Sequence, residues 1–243
     1  MEGYARTMDC SLVSIVIAVK NAEQFLRQAL ESIAAQDFQN HETIVVDGRS
    51  TDGTRTIAAS YPWTKIVDQE GTGFAQAWNL GIDTARGDFI AFLDSDDIWP
   101  PHSLAVRAKQ LQSDLGIDCV IGRVRFFVED GHPIPHAFRP ELLNGSHVAY
   151  MPGTAMLRRR VFDTLGKFEE NWQIANDLVW FAKLRSSGAR VEVIDDVLLQ
   201  KRIHSSNASN VAATMPIYRE ELLALVKESV LRQRSLRTPN VPI

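Results

Sequence analysis

The chain has 243 residues, 45% of them hydrophobic and 23% charged, with 26 Lys and Arg against 30 Asp and Glu for a formal net charge of -4. That length suits one globular domain with a full apolar core. The slight acidic excess provides no global basic field for a nucleic-acid backbone, so nucleic acid is excluded as an expected partner.

Leu12 to Val19 (LVSIVIAV) is an apolar run rich in β-branched residues, the pattern of a strand buried on both faces of a parallel sheet. Ala22, Phe25, Leu26, Ala29, Leu30, Ile33 and Ala34 then recur at helical spacing, with Asn21 and Gln24 placed as a capping box. Thr43 to Val46 reads as a second strand, ending at Asp47 and the polar turn Gly48 to Gly53, and Thr54 to Ser60 as a short helix. Lys65 to Asp68 is a weak third strand. Phe74, Ala77, Trp78, Gly81, Ile82 and Ala85 share one helical face that Gly87 is expected to close, and Phe89 to Leu93 is a fourth strand. Past Pro100 and Pro101 a helix runs to Ser113, followed by strand-like Cys119 to Val128. A proline-bearing loop from Glu129 to Pro152 is where specificity would vary. Asn176 to Ser186 reads as a helix ended by Gly188, Arg190 to Ile194 as a strand, and Pro216 to Arg234 as an amphipathic helix. The alternation implies an α/β fold, with a Rossmann-like, mostly parallel central sheet flanked by helices and a C-terminal helix.

In such sheets ligands bind beyond the carboxyl ends of the strands, where Asp47 and Asp94 both fall. Asp94, Asp96 and Asp97 set three like charges within four positions, which is costly unless a cation sits there. Hard oxygen ligands without a thiolate select Mg²⁺ or Mn²⁺, ions that bridge a substrate's phosphates, so these residues point to a metal-bound nucleotide. The alternative is a solvated capping turn before the next helix. Gln76 and Asn79, three apart on the helix before the fourth strand, are placed to face the same side. The histidines His132, His136 and His147 have no cysteine partners and make no expected zinc site. The two cysteines, Cys10 and Cys119, are too few for a disulfide framework, which fits a reducing cytoplasm. Met1 to Cys10 lacks a secretion pattern, and no apolar run approaches membrane-spanning length. The expected location is cytoplasmic. The basic residues Arg232, Arg234 and Arg237 leave open a peripheral contact at the inner face of the membrane.

Three segments in order, VSIVIAVKNAEQFLRQALESI, IVVDGRSTDGT and GTGFAQAWNLGIDTARGDFIAFLDSDD, resemble the nucleotide-sugar-binding half of inverting family 2 glycosyltransferases, which have a type A glycosyltransferase fold. The match runs from Val13 to Pro101, with weaker similarity to Ser209. The resemblance implies a single domain in which 12–101 binds the nucleotide sugar, 102–210 carries the acceptor site and the base, and 211–243 forms a C-terminal helix and tail. It implies a metal-dependent, inverting transfer of one sugar from a nucleoside-diphosphate sugar, expected to be uridine-linked, in a setting such as polysaccharide biosynthesis. The acceptor would be a glycan, a lipid-linked compound or a small molecule. The Gln-x-x-Arg-Trp signature of processive synthases is absent, which implies one sugar per encounter.

On the family pattern, Asp47 hydrogen-bonds the base, Asp94 lies near the ribose, Asp96 ligates the Mn²⁺ or Mg²⁺, and Gln76 and Asn79 line the donor site. For Asp47 the alternative is an Asx-type turn. Ala18 and Lys20 stand where the family usually has Pro and a base-stacking aromatic, and Lys20 is expected to reach phosphate instead. Arg49 replaces a usual glycine. Asn176-Asp177 stands where an acidic pair carries the general base, which makes Asp177 the expected base; a helix-start carboxylate is the alternative. Within Lys201-Arg202-Ile203-His204, the resemblance implies that His204 completes the metal shell and Arg202 clamps the diphosphate. Trp172 is an expected acceptor platform, with core packing as its alternative. A homodimer is left open. The competing function is a non-catalytic nucleotide-sugar-binding or scaffold protein of the same fold.

Overall fold

The computed structural model describes residues 11–172, 175–207, 220, 221 and 223. In chain order the elements are β1 (Val13–Val19), α1 (Leu26–Ala34), β2 (His41–Asp47), α2 (Thr54–Ala59), β3 (Thr64–Asp68), α3 (Phe74–Thr84) and β4 (Phe89–Phe92). They continue with α4 (Ser103–Ser113), β5 (Cys119–Phe127), β6 (His147–Val148), β7 (Ala155–Arg158), α5 (Arg159–Leu165), α6 (Asn176–Ser186) and β8 (Val191–Arg202). One sheet runs β3-β2-β1-β4-β7-β5-β6, with β8 on the other edge of β5. The pairs β1 with β2, β1 with β4, β2 with β3 and β5 with β8 are parallel.

The pleat of β1 sorts its side chains between two cores. Ile15 and Ile17 face Leu26, Leu30 and Ile33 of α1 together with Leu104 and Leu111 of α4. Val16 faces the opposite layer with Ile44, Trp78 and Ile82 of α3, Phe92 and Trp180 of α6. Each fully buried Ile or Leu contributes about 1.5–3 kcal/mol, so this central strand is fixed on both faces and its carboxyl end is a rigid platform.

Several expected boundaries shift for identifiable reasons. The capping box is a correction: α1 starts at Leu26 without a side-chain cap. Asn21, at φ 50°, instead accepts the Thr51 N–H on its Oδ1 at 2.8 Å. Gly87 does not close α3 either, since Ala85 already turns extended. A Cβ on Gly87 would sit 2.4 Å from the Leu12 carbonyl oxygen, so it is close packing that requires glycine there. Gly188 ends α6 at φ 82°, as expected.

β7 and α5 were not expected. The four residues Ala-Met-Leu-Arg of β7 are too few to show a period, yet β7 runs antiparallel between β4 and β5 and joins the two parts of the sheet. β8 extends eight residues beyond the expected Ile194, to Arg202, because backbone pairing with β5 continues past two register shifts, with the polar pairs Asp195-Asp196 and Gln200-Lys201 flanking Val197 to Leu199. That extension delivers Lys201 and Arg202 to the end of β4, where Ile98 and Gln200 exchange backbone hydrogen bonds of 3.0 and 2.8 Å. Most of the expected C-terminal helix, together with Cys10, Arg232, Arg234 and Arg237, lies outside the described residues. Glu220, Glu221 and Leu223 are helical, and the Glu221 carboxylate accepts the Ala175 N–H at the start of α6 at 2.9 Å. Among the described residues no helix is long and apolar enough to cross a membrane.

Candidate active site

The carboxyl end of β4 enters a tight turn in which Asp97 N–H donates to the Asp94 carbonyl at 3.1 Å. This turn gathers Asp94, Asp96 and Asp97 so that one ligand oxygen from each lies within 4.8 Å of the others. Such crowding calls for a cation, and the fold supplies one from 104 positions away: Lys201 Nζ donates to Asp97 Oδ2 at 2.9 Å and to Asp94 Oδ2 at 3.2 Å. The second oxygen of Asp97 accepts the Arg202 backbone N–H at 3.0 Å. Asp97 is completely buried. Burial pushes its carboxyl up, Lys201 acts against this, and Asp96 and Asp94 add to the rise. Both oxygens face N–H donors and, among the described residues, neither meets an acceptor, so the ionised form fits the geometry. Burial disfavours the charge of Lys201, but Asp97, Asp94 and Asp96 together hold its pKa well above the ordinary lysine value.

Asp96 faces the other way. Its Oδ2 lies 3.0 Å from His204 Nε2 and accepts Asn207 Nδ2 at 2.9 Å, while His204 Nδ1 meets Ser206 Oγ at 2.8 Å. Burial works against its charge, yet the His204 bond and the Lys201 charge outweigh it and keep the carboxyl below the ordinary aspartate range. Asp94 and Asp96 are both only partly buried. Two accessible carboxylates beside one imidazole fit Mn²⁺ or Mg²⁺. The two oxygens of Asp97 are already committed to protein donors, so it adds nothing to that donor set. Sequence reasoning missed Lys201 and Asn207 as members of this cluster; the signals were their places one residue before Arg202 and three after His204.

Asp177 opens α6, and its Oδ1 accepts the Leu178 N–H at 2.8 Å. Burial raises its carboxyl to about 6; the Leu178 bond acts against this, Asp94 adds to the rise, and Lys201 opposes it. The electrostatic influence of Asp94 and Lys201 links this carboxylate to the β4 cluster. A carboxyl titrating near 6 is ionised at neutral pH and is a better proton acceptor than an ordinary aspartate.

The other expected residues divide. Asp47, 3% exposed, closes its own turn: Oδ1 accepts from Ser50 N–H at 3.1 Å and Ser50 Oγ at 2.6 Å, and Oδ2 lies 3.5 Å from Arg55. This is the Asx-type alternative. Ala18 is partly buried and Lys20 exposed at the end of β1. Gln76 Oε1 accepts Gln69 Nε2 at 3.1 Å. Asn79 binds protein rather than facing a cleft: its Nδ2 donates to the Phe168 carbonyl at 2.8 Å, and its Oδ1 accepts the Phe168 N–H at 3.0 Å. Arg202 also departs from expectation. It is 2% exposed and packs between the rings of Phe25 and Phe127, each 4.8 Å away. Its guanidinium donates to Glu129, Gln28 and the Asp96 carbonyl, so it braces the turn, and its burial keeps it from being presented to a diphosphate. Trp172 is partly buried with Nε1 3.3 Å from Glu169. A cavity of about 100 Å³ beside His204, lined also by Phe25, Glu129 and His132, is smaller than ordinary ligand pockets, which start at about 300 Å³.

The model of glycosyl transferase family 2 matches residues 14–185, which include the β4 turn and Asp177. The chain belongs to glycosyl transferase family 2. Similar curated proteins include an uncharacterised glycosyltransferase of Rickettsia typhi, 30% identical over 215 residues, 83% of this family 2 chain and 67% of its relative. Chondroitin synthase of Escherichia coli is 26% identical over 231 residues, covering 91% of the chain but 33% of that protein. Among solved structures, residues 1–349 of S. aureus TarS in complex with UDP-GlcNAc align with a TM-score of 0.66 and 24% identity, over 81% of this chain and 60% of that one. A mannosyltransferase from Pyrobaculum calidifontis in complex with GDP-Man and Mn²⁺ aligns with a TM-score of 0.64 and 23% identity, over 90% and 64%. At these identities the likeness shows the fold, the type A glycosyltransferase fold expected from the sequence, and this family 2 chain spans less than two thirds of either solved chain.

Proposed function

We propose that the chain transfers one sugar from a nucleoside-diphosphate sugar, with inversion at the anomeric carbon, to a glycan, lipid-linked or small-molecule acceptor. The observation that carries this reading is the meeting of Asp96 with His204, 108 positions apart, in a cluster whose field reaches Asp177. The complexes of the fold neighbours with UDP-GlcNAc and GDP-Man support a nucleoside-diphosphate donor. The Mn²⁺ in the mannosyltransferase complex supports a divalent cation.

In this reading Asp96 and His204 hold Mn²⁺ or Mg²⁺, with Asp94 beside them toward the ribose. Residues 12–101 take the donor: Ala18, Lys20, Asp47 and Gln76 border its base and phosphates, and uridine is the expected base. When bound, the cation neutralises charge that develops on the departing diphosphate. Asp177 accepts the proton of the acceptor hydroxyl, whose oxygen forms a bond to the anomeric carbon as the bond to the diphosphate oxygen breaks on the opposite face. Trp172 offers a ring to the acceptor in the half formed by 102–210.

The test incubates the protein with Mn²⁺, a panel of UDP- and GDP-linked sugars and glycan acceptors, and reads product anomer by NMR. Turnover with an inverted anomer is expected, and Asp177→Asn is expected to bind donor without turnover. Donor binding by the wild type without any turnover would replace this reading with a non-catalytic nucleotide-sugar-binding protein.

A further inference from the structure

Lys201 is placed for more than structural pairing. An ammonium has three N–H donors. Two are used, on Asp97 at 2.9 Å and Asp94 at 3.2 Å, and among the described residues the third has no protein partner. The side chain keeps 15% of its surface exposed, beside an Asp94 side chain that is 36% exposed, so the ammonium is largely desolvated but bonded to a carboxylate that borders solvent. The other cation of the segment, Arg202, is committed to Glu129, Gln28 and the Asp96 carbonyl. Asp97 balances Lys201 as an ion pair. That leaves Asp94 and Asp96 facing an incoming diphosphate with two negative charges, to be offset by a metal and by any protein N–H that can reach the phosphate oxygens.

We infer that Lys201 is a built-in cation of the donor site, whose third N–H contacts a phosphate oxygen of the nucleoside diphosphate, so that donor binding keeps a component independent of divalent metal. The inference rests on the proposed donor class. A fixed ammonium of this kind is already desolvated and oriented by two carboxylates, so little is lost on contact with phosphate. The role is binding and positioning, because the bond-breaking step needs no proton from Lys201.

Calorimetric titration with UDP and GDP, in EDTA and in Mn²⁺, tests this on three proteins: wild type, Lys201→Arg, and the double variant Asp97→Asn with Lys201→Met. The double variant removes the ammonium without stranding a buried carboxylate, and thermal melts confirm that each protein is folded. Wild type is expected to bind a nucleoside diphosphate measurably in EDTA. The double variant should lose at least about tenfold of that affinity, and Lys201→Arg should retain most of it. Binding of the phosphate-free nucleoside should be equal in all three. Equal diphosphate binding by wild type and double variant in EDTA overturns the inference. So does a wild type that binds only with Mn²⁺, or a loss that is as large for the nucleoside. Failure of wild type to bind either diphosphate even with Mn²⁺ overturns the donor assignment itself.

Discussion

Asp177 and Asp97 are both aspartates within the electrostatic reach of Asp94 and Lys201, yet their surroundings give them different work. Asp97 has lost all contact with water and is matched by two N–H donors, so it holds the turn together. Asp177 retains some solvent contact and has its carboxyl raised to about 6, first by burial and also by Asp94. If Asp177 is the base, kcat/KM should rise with pH up to about 6 and level off above it; a profile flat from pH 5 to 8 would remove it from the role. The same shift has a stability sign. The folded carboxyl titrates above its unfolded value, so the folded chain binds the extra proton between about pH 4 and 6. Ionised Asp177 therefore destabilises the fold above pH 6. Asp177→Asn should accordingly be more stable than wild type at pH 8 by about 2–3 kcal/mol, with the difference gone near pH 4, as read by urea denaturation at both values. At Asp97 the ion pair with Lys201 decides the outcome. Lys201→Met alone strands a fully buried carboxylate and should cost about 3–5 kcal/mol, whereas adding Asp97→Asn should restore most of the loss.

At the scale of elements, the packing of residues 12–101 depends on how closely α3 and the α3–β4 connection lie on β1. A Cβ at Gly81 would come within 2.2 Å of Val16 Cγ1, in the middle of the central strand. Ala is favoured over Gly in a helix by about 1 kcal/mol. Val16 is completely buried, and its β-branched side chain has little rotamer freedom to yield. Overpacking of this kind costs about 1–3 kcal/mol, so the clash should win. Gly81→Ala is expected to lower the denaturation midpoint, and an unchanged or higher midpoint would mean that α3 can move off the sheet. Local propensity therefore misjudges this position, and it misjudges the capping of α1 for a related reason. Asn21 fits a capping box by spacing, but the chain spends its side chain on Thr51, tying the start of the first helical segment to the turn after β2.

For the whole molecule, the two parts of the acidic cluster and its partners come from distant stretches of chain that only the sheet order brings together. Because β7 inserts between β4 and β5, and β8 joins the far edge of β5, the acidic turn after β4 meets residues 201 to 207. Ligand binding should then stabilise the entire fold by mass action. Mn²⁺ with UDP or GDP at about 100 times Kd adds about 2.7 kcal/mol, or roughly 5–10 °C in Tm for a chain of this size. Scanning calorimetry should record that rise in wild type and a smaller one in Asp96→Asn, equal to the rise that the diphosphate gives in EDTA; a rise undiminished by the substitution would place the cation elsewhere.

The strand and helix periodicity of residues 12–101, the placement of Asp47 and Asp94 at strand ends, and the motif resemblance determined the fold class and the family. These are local properties: burial on two faces writes a β-branched run, and a ligand turn writes its acids within a few positions. The tertiary structure decided what pairing over long separations can decide. It showed that Arg202 is a buried brace, that Asn79 binds the Phe168 backbone, and that Lys201 supplies the cation which the crowding of Asp94, Asp96 and Asp97 requires. A sequence records that three carboxylates are adjacent. Whether metal or protein offsets their charge depends on which side chain arrives from 104 positions away, and that follows from strand order, which no local pattern encodes.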